Sequence, residues 1–218
     1  LPYEVIAAGN RNDRAGAVHR AWGALFTNHI EGAYCEFGVY RGETFRASYR
    51  SYQELSAWAQ RQLISDEPWR RTAIDTYAAS RHEFYAFDTF SGMPENSEGN
   101  VILSARNFEC SLEEFSRLNR KAGIVEGRGV RYFKGTFVDI AAREGPALAT
   151  LQPAAILNID CDLYVSTRDA LQLVEPKLQQ GSVLLVDDWN IFNADRNCGE
   201  RRAIREFLDS DPAFSFEP

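Results

Sequence analysis

Three aspartates define the chemistry open to this chain. Asp160 stands directly behind the apolar run AAILNI at 154–159, and Asp187 and Asp188 stand behind SVLLV at 182–186. If the two runs are neighbouring strands, the three carboxylates meet at one end of them. Two bare carboxylates about 4 Å apart repel by about 4 kcal/mol at an effective dielectric of about 20. Such a group is relieved by sharing protons or by holding a cation. An all-oxygen donor set favours Mg2+, Mn2+ or Ca2+ over zinc. A further acid, Asp162, is expected to cap the helix near Ser166 and to coordinate nothing.

A second set of residues precedes these. Glu36 opens the stretch E-F-G-V-Y-R-G at 36–42, where Gly38 and Gly42 allow a tight turn and a close approach of backbone to ligand. The spacing is not G-x-G-x-x-G, so the pyrophosphate cradle of a nicotinamide enzyme is missing. A ligand without a pyrophosphate suits this looser turn. Asp88, at the end of the run 83–87, is placed either to accept hydrogen bonds from a ribose or to act as a turn acid before Ser91-Gly92. His19, His29 and His82 are reserve candidates for a general base, or else exposed and capping residues. Cys35, Cys110, Cys161 and Cys198 contain no C-x-x-C pair, which points away from a structural zinc site. They read as small hydrophobes in a reducing cytoplasm.

The elements that must position these groups follow from apolar periodicity. A helix is expected over 12–29, with Ala17, Ala21, Leu25 and Phe26 on one face, and another over 43–63. A helical piece is expected near 69–79. Strands are expected at 33–38, 83–87, 130–133, 154–159 and 182–186, with helices from 137, over 167–178 and over 200–208. A last strand is expected to start at 214–216. The connection 88–110 is rich in Gly, Ser, Asn and Pro and reads as a lid. Ser111 with Glu114 reads as a capping box for the helix that follows.

Strands thus alternate with helices, and the strands are continuous apolar runs. The fold class is α/β: a Rossmann-like, doubly wound, mostly parallel sheet with helices on both faces. Four of the five strands end on an acid, and in a parallel sheet those ends share the edge where ligands bind. The 218 residues form one expected domain, with an N-terminal helical cap over 1–32. A net charge of -7 argues against a nucleic-acid partner. No apolar run reaches the length of a membrane span. No signal peptide is visible. The chain starts at Leu1 rather than Met, so a trimmed leader is compatible with it.

E-F-G-V-Y-R-G (36–42), F-D-T-F-S-G-M-P-E (87–95), K-G-T-F-V-D (134–139), L-N-I-D-C-D-L-Y-V-S-T (157–167) and L-L-V-D-D-W-N (184–190) resemble the macrocin O-methyltransferase family. That family belongs to the class I S-adenosylmethionine-dependent methyltransferases. The matches run in family order from about residue 33 to residue 208. The resemblance implies that Glu36, Gly38, Tyr40, Gly42 and Thr44 line the methionine part of S-adenosylmethionine. It implies that Asp88 takes the ribose hydroxyls with Thr89 and Phe90 nearby, and that Gly135, Thr136 and Phe137 sit near the adenine. By the same pattern Asp160, Asp187 and Asp188 bind magnesium, and the acceptor is a hydroxyl of a small molecule, a sugar of a natural product.

Two departures stand out. Related catechol-type enzymes carry a lysine base three residues beyond the first metal aspartate; here that residue is Leu163, so Asp160 or a neighbouring acid is the expected proton acceptor. The chain also stops just after Phe216, where a final antiparallel hairpin would be expected. Its first helix and sheet edge make a homo-oligomer an expectation. The competing readings of the acid cluster are a metal-dependent hydrolase or phosphoryl-transfer enzyme, which lacks a P-loop or His-rich motif here, and a non-catalytic protein of the same fold.

Overall fold

Five apolar segments pair into one sheet. The computed structural model describes residues 3–62, 67–68, 81–96, 98, 103–210 and 214–215. In chain order the elements are α1 (Tyr3–Asn28), β1 (Ala33–Phe37), α2 (Glu43–Gln62), β2 (Phe84–Asp88), α3 (Leu112–Lys121), β3 (Val130–Lys134), α4 (Phe137–Ala149), β4 (Ala154–Ile159), α5 (Tyr164–Val174), β5 (Leu178–Val186) and α6 (Gly199–Ser210). The strand order is β3-β2-β1-β4-β5, and every pairing is parallel. The chain builds outward from β1 through β2 to β3, then returns to the other side of β1 for β4 and β5. Strand order therefore reverses between β1 and β4, the position where such sheets leave a crevice.

All residues of β1 and β4 are buried. Side chains alternate across a strand, so β1 sends Tyr34 to one face and Cys35 and Phe37 to the other. The first face packs on α1, α2 and α3 through Trp22, Leu25, Phe45 and Phe115. The second packs on α4, α5 and α6 through Ile140, Leu171 and Ile204. On that second face Phe37, Phe87 and Phe133 stack in a row one layer below the strand ends, with ring centroids 4.5 Å and 4.7 Å apart. Each such pair adds about 0.5–1.5 kcal/mol beyond the area it buries. The row packs across the three paired strands just beneath the edge that carries the acids.

Several boundaries differ from expectation. α5 starts at Tyr164 rather than Thr167 and ends at Val174, followed by a tight turn at Glu175–Lys177. Pro176 accounts for the early stop, because it has no N–H to donate and its ring would clash with the preceding helical turn. β5 starts at Leu178, ahead of the apolar run, with a register irregularity opposite Ala154 and Ile156. Gly181, at φ +85°, lies in that irregular stretch, and Ile30 packs where its Cβ would be. Ser111 caps α3 by accepting from the N–H of Glu114, but the Glu114 carboxylate turns to Arg117 instead of closing the box. Phe214 and Ser215 are not in a strand; the Phe214 ring packs 5.1 Å from Phe207. The helix expected near 69–79, parts of the connection 88–110 and residue 216 lie outside the described residues. No described helix is long and apolar enough to cross a membrane.

Candidate active site

The C-terminal ends of the strands form one edge with two halves, on either side of the β1/β4 reversal. The first half is a backbone turn closed on a carboxylate. Asp88, the last residue of β2, accepts from the N–H of Val39 at 2.7 Å, of Tyr40 at 3.2 Å and of Phe90 at 2.7 Å. Its carbonyl oxygen accepts from Gly135 N at 3.0 Å, which ties the β3 turn to the same point. Thr136 caps α4 by accepting from Asp139 N, and Phe137 packs edge-on against Phe37. Glu36, Tyr40, Asp88 and Gly135 are thus gathered around one turn.

Within that turn the glycines serve the protein's own packing. At Gly38, with φ +82°, a Cβ would collide with the carbonyl oxygen of Asp160, so only glycine lets the β1 turn lie against the end of β4. At Gly42 a Cβ would come within 2.6 Å of the Phe115 ring. Thr44 is buried at the start of α2, and the Phe90 ring is buried against Phe115. Tyr40 is 42% exposed, with its ring edge-on to the exposed Phe108. The two form an aromatic wall over the turn. Glu36 is buried and accepts from the Tyr34 hydroxyl at 2.5 Å. Burial holds its carboxyl well above the usual carboxylate range, and nearby Asp160 and Asp88 add to this.

The second half carries acids with few donors. Strand pairing places Asp160 and Asp187 at adjacent ends: Asp160 N donates to Phe37 O and Asp187 N to Ile159 O. One oxygen from each of Asp160, Asp187 and Asp188 lies within 4.8 Å of the others. Burial pushes the Asp160 carboxyl up to about 7, against the pull of Arg14 and with repulsion from Asp188 and Asp88. Asp162 does not cap α5, contrary to expectation. It takes φ +59°, and its carboxyl lies beside that of Asp188, while the α5 cap, Leu163, offers no side-chain bond. The left-handed backbone turns Asp162 back toward the cluster, and burial raises its pKa with Asp188 adding to the effect.

Three residues without a signal in the sequence complete this half. Arg14 of α1 pairs with Asp187 and reaches Asp160 at 3.8 Å. Glu98 accepts from Tyr164 N at 2.7 Å and Gly199 N at 2.9 Å, and so caps α5 and α6 together. Glu200, fully buried, accepts from the backbone of both acid-bearing turns. Arg14 sits on an ordinary polar helix face, Glu98 lies in a polar connection, and an acid in the first turn of a helix, like Glu200, is commonplace. The histidines do not join the cluster. His19 Nδ1 lies 3.3 Å from Ser51 Oγ, His82 binds Gly32 O ahead of β1, and His29 follows α1 at that same opposite edge. The four cysteines are free, three of them buried.

The donor set suits a hard cation: it is all carboxylate oxygen, and a guanidinium already lies on two of its three members. The adjoining turn, with acids at the ends of β1 and β2 and an aromatic wall, suits a nucleoside carrying a positive group.

Comparison with known proteins gives the chain a family and its fold a set of solved neighbours. A family model described as Macrocin-O-methyltransferase (TylF) matches residues 69–211, more than half of the chain. The 8-demethyl-8-(2,3-dimethoxy-alpha-L-rhamnosyl)-tetracenomycin-C 4'-O-methyltransferase of Streptomyces olivaceus is 27% identical over 144 residues, 59% of this chain and 53% of that protein. The demethyldecarbamoylnovobiocin O-methyltransferase of Streptomyces niveus is 32% identical over 110 residues, 47% of this chain and 40% of that protein. The chain spans about half the length of these curated relatives or less. Among solved structures, the O-methyltransferase NovP matches with a TM-score of 0.63 at 22% identity, covering 90% of this chain and 71% of NovP. CalS11, a calicheamicin methyltransferase, matches with a TM-score of 0.62 at 18% identity, covering 89% and 71%. At those identities the likeness shows the fold.

Proposed function

The chain belongs to the macrocin-O-methyltransferase family, and from that premise we propose that it transfers the methyl group of S-adenosylmethionine to a hydroxyl of a small molecule, a sugar of a natural product, at a site that holds magnesium. The observation that carries this reading is the contact between the two halves of the edge. Because Gly38 has no Cβ, the turn beside Asp88 lies directly on Asp160, so a cofactor on one half and an acceptor on the other would meet at the β1/β4 reversal.

S-adenosylmethionine supplies an electrophilic methyl group on a sulfonium. Glu36, Gly38, Tyr40, Gly42 and Thr44 would line its methionine part. Asp88, with Thr89 and Phe90, would accept its ribose hydroxyls, and Gly135, Thr136 and Phe137 would border its adenine. Asp160, Asp187 and Asp188 would hold the divalent cation, magnesium or else manganese or calcium, which when bound acidifies an acceptor hydroxyl and orients it. With the cofactor held by the Glu36–Thr44 turn and the acceptor by the acid cluster, the acceptor oxygen would lie in line with that methyl group, and S-adenosylhomocysteine would be the leaving product. Asp160 takes the hydroxyl proton. Leu163 is buried, so the lysine seen at this position in catechol-type relatives is replaced by a packing residue. The free thiols accord with a reducing cytoplasm.

Titration calorimetry tests both parts. S-adenosylhomocysteine is expected to bind the wild type and Asp188→Ala alike, and Mg2+ is expected to bind the wild type alone. No S-adenosylhomocysteine binding overturns the methyltransferase reading. Equal Mg2+ binding by the two proteins overturns the cation site.

A further inference from the structure

Glu200 is the second residue of α6, and none of its side chain reaches solvent. Its Oε1 accepts from Cys161 N at 3.1 Å and Asp162 N at 3.3 Å, and its Oε2 accepts from Asp188 N at 3.0 Å. One carboxylate thus bridges the turn after β4 and the turn after β5. Asp160 and Asp187 are already held by strand hydrogen bonds to Phe37 and Ile159. Beyond them the strand pairing ends, and the backbone of Asp188 is held by Glu200. The α6 terminus that carries Glu200 is itself anchored, because Gly199 N donates to Glu98.

Burying an acid beside Asp160, Asp162 and Asp188 is costly, since like charges and desolvation oppose it. A neutral residue that only filled the space would be cheaper. What a carboxylate offers here is two oxygens that accept in a fixed fork from donors on separate strands. We propose that Glu200 is a positioning residue for the cation site: it sets the separation of the two acid-bearing turns, and through it the spacing of Asp160, Asp187 and Asp188, without ligating the ion itself. This rests on the proposed cation site. Outer residues that orient ligands typically control about 10–100-fold of metal affinity.

Mn2+ titration of the wild type, Glu200→Gln and Glu200→Asp provides the test, with S-adenosylhomocysteine affinity and metal-free amide exchange measured on each. Glu200→Gln turns an NH2 group toward backbone donors. Glu200→Asp keeps the charge but shortens the fork. Both variants are expected to lose about 10–100-fold in Mn2+ affinity, to keep S-adenosylhomocysteine affinity within about twofold, and to exchange the amides of Cys161, Asp162 and Asp188 faster. Wild-type Mn2+ affinity in Glu200→Asp overturns a geometric role. Parallel loss of Mn2+ and S-adenosylhomocysteine binding marks Glu200 as a general fold staple and overturns the inference. A wild type that binds no Mn2+ overturns the cation reading and this inference with it.

Discussion

The two halves of the strand-end edge use the same residue type in opposite ways. Asp88 is answered by three backbone N–H groups of the turns around it, so its charge helps build the structure. Asp160, Asp187 and Asp188 face one another, and among the described residues the cation on them is Arg14, whose side chain is 43% exposed. A partly solvated ion pair of this kind is worth about 0–1 kcal/mol, too little to offset several crowded carboxylates. Asp88 is satisfied without a ligand. The other half stores unfavourable charge that a divalent cation would relieve.

Neutralising one acid in each half should expose the contrast. Asp160→Asn is expected to lower turnover by about 10²–10⁴-fold, the range for removing a general base, while the melting temperature of the ligand-free protein stays level or rises. Asp88→Ala is expected to lower ligand-free stability by about 1.5–3 kcal/mol, because three N–H groups lose a charged acceptor; urea unfolding measures it. Equal destabilisation by the two changes would erase the distinction between the halves.

A smaller effect should appear in the pH dependence of the metal-free fold. The Asp160 carboxyl is raised to about 7, above its unfolded value of about 3.9. Its contribution to stability is therefore full below about pH 4 and is lost as pH rises through about 7. Glu36 and Glu200, both also held above the ordinary carboxylate range by burial, add in the same direction. The melting temperature is expected to fall between about pH 5 and pH 7.5 as these carboxyls ionise, and to fall about half as steeply or less once Mg2+ is present. A slope that Mg2+ leaves unchanged would separate the crowded acids from any cation.

Much of this was legible in the chain itself. The apolar runs ending on Asp88 and Asp160 declare buried parallel strands, since a strand covered on both faces has no reason to alternate polarity; the run ending on Asp187, expected to be buried as well, is the half-exposed edge strand β5, because only one side of it pairs with the sheet. Asp162 was not legible, because its role depends on a left-handed backbone that an aspartate adopts only where its surroundings hold it there. Gly38 looked like a place for a ligand to approach the backbone, and its first neighbour is the carbonyl of Asp160.

The sequence by itself determined the α/β order, the strand-end position of the acids and the all-oxygen character of the cluster, because these depend on residue type and local periodicity. Tertiary structure alone decided which acids are compensated. Arg14 lies 146 and 173 residues from its partners Asp160 and Asp187. Glu200 meets Cys161 across 39 residues and Asp188 across 12. Contacts at such separations are products of topology, and no local pattern of charge or hydropathy encodes them.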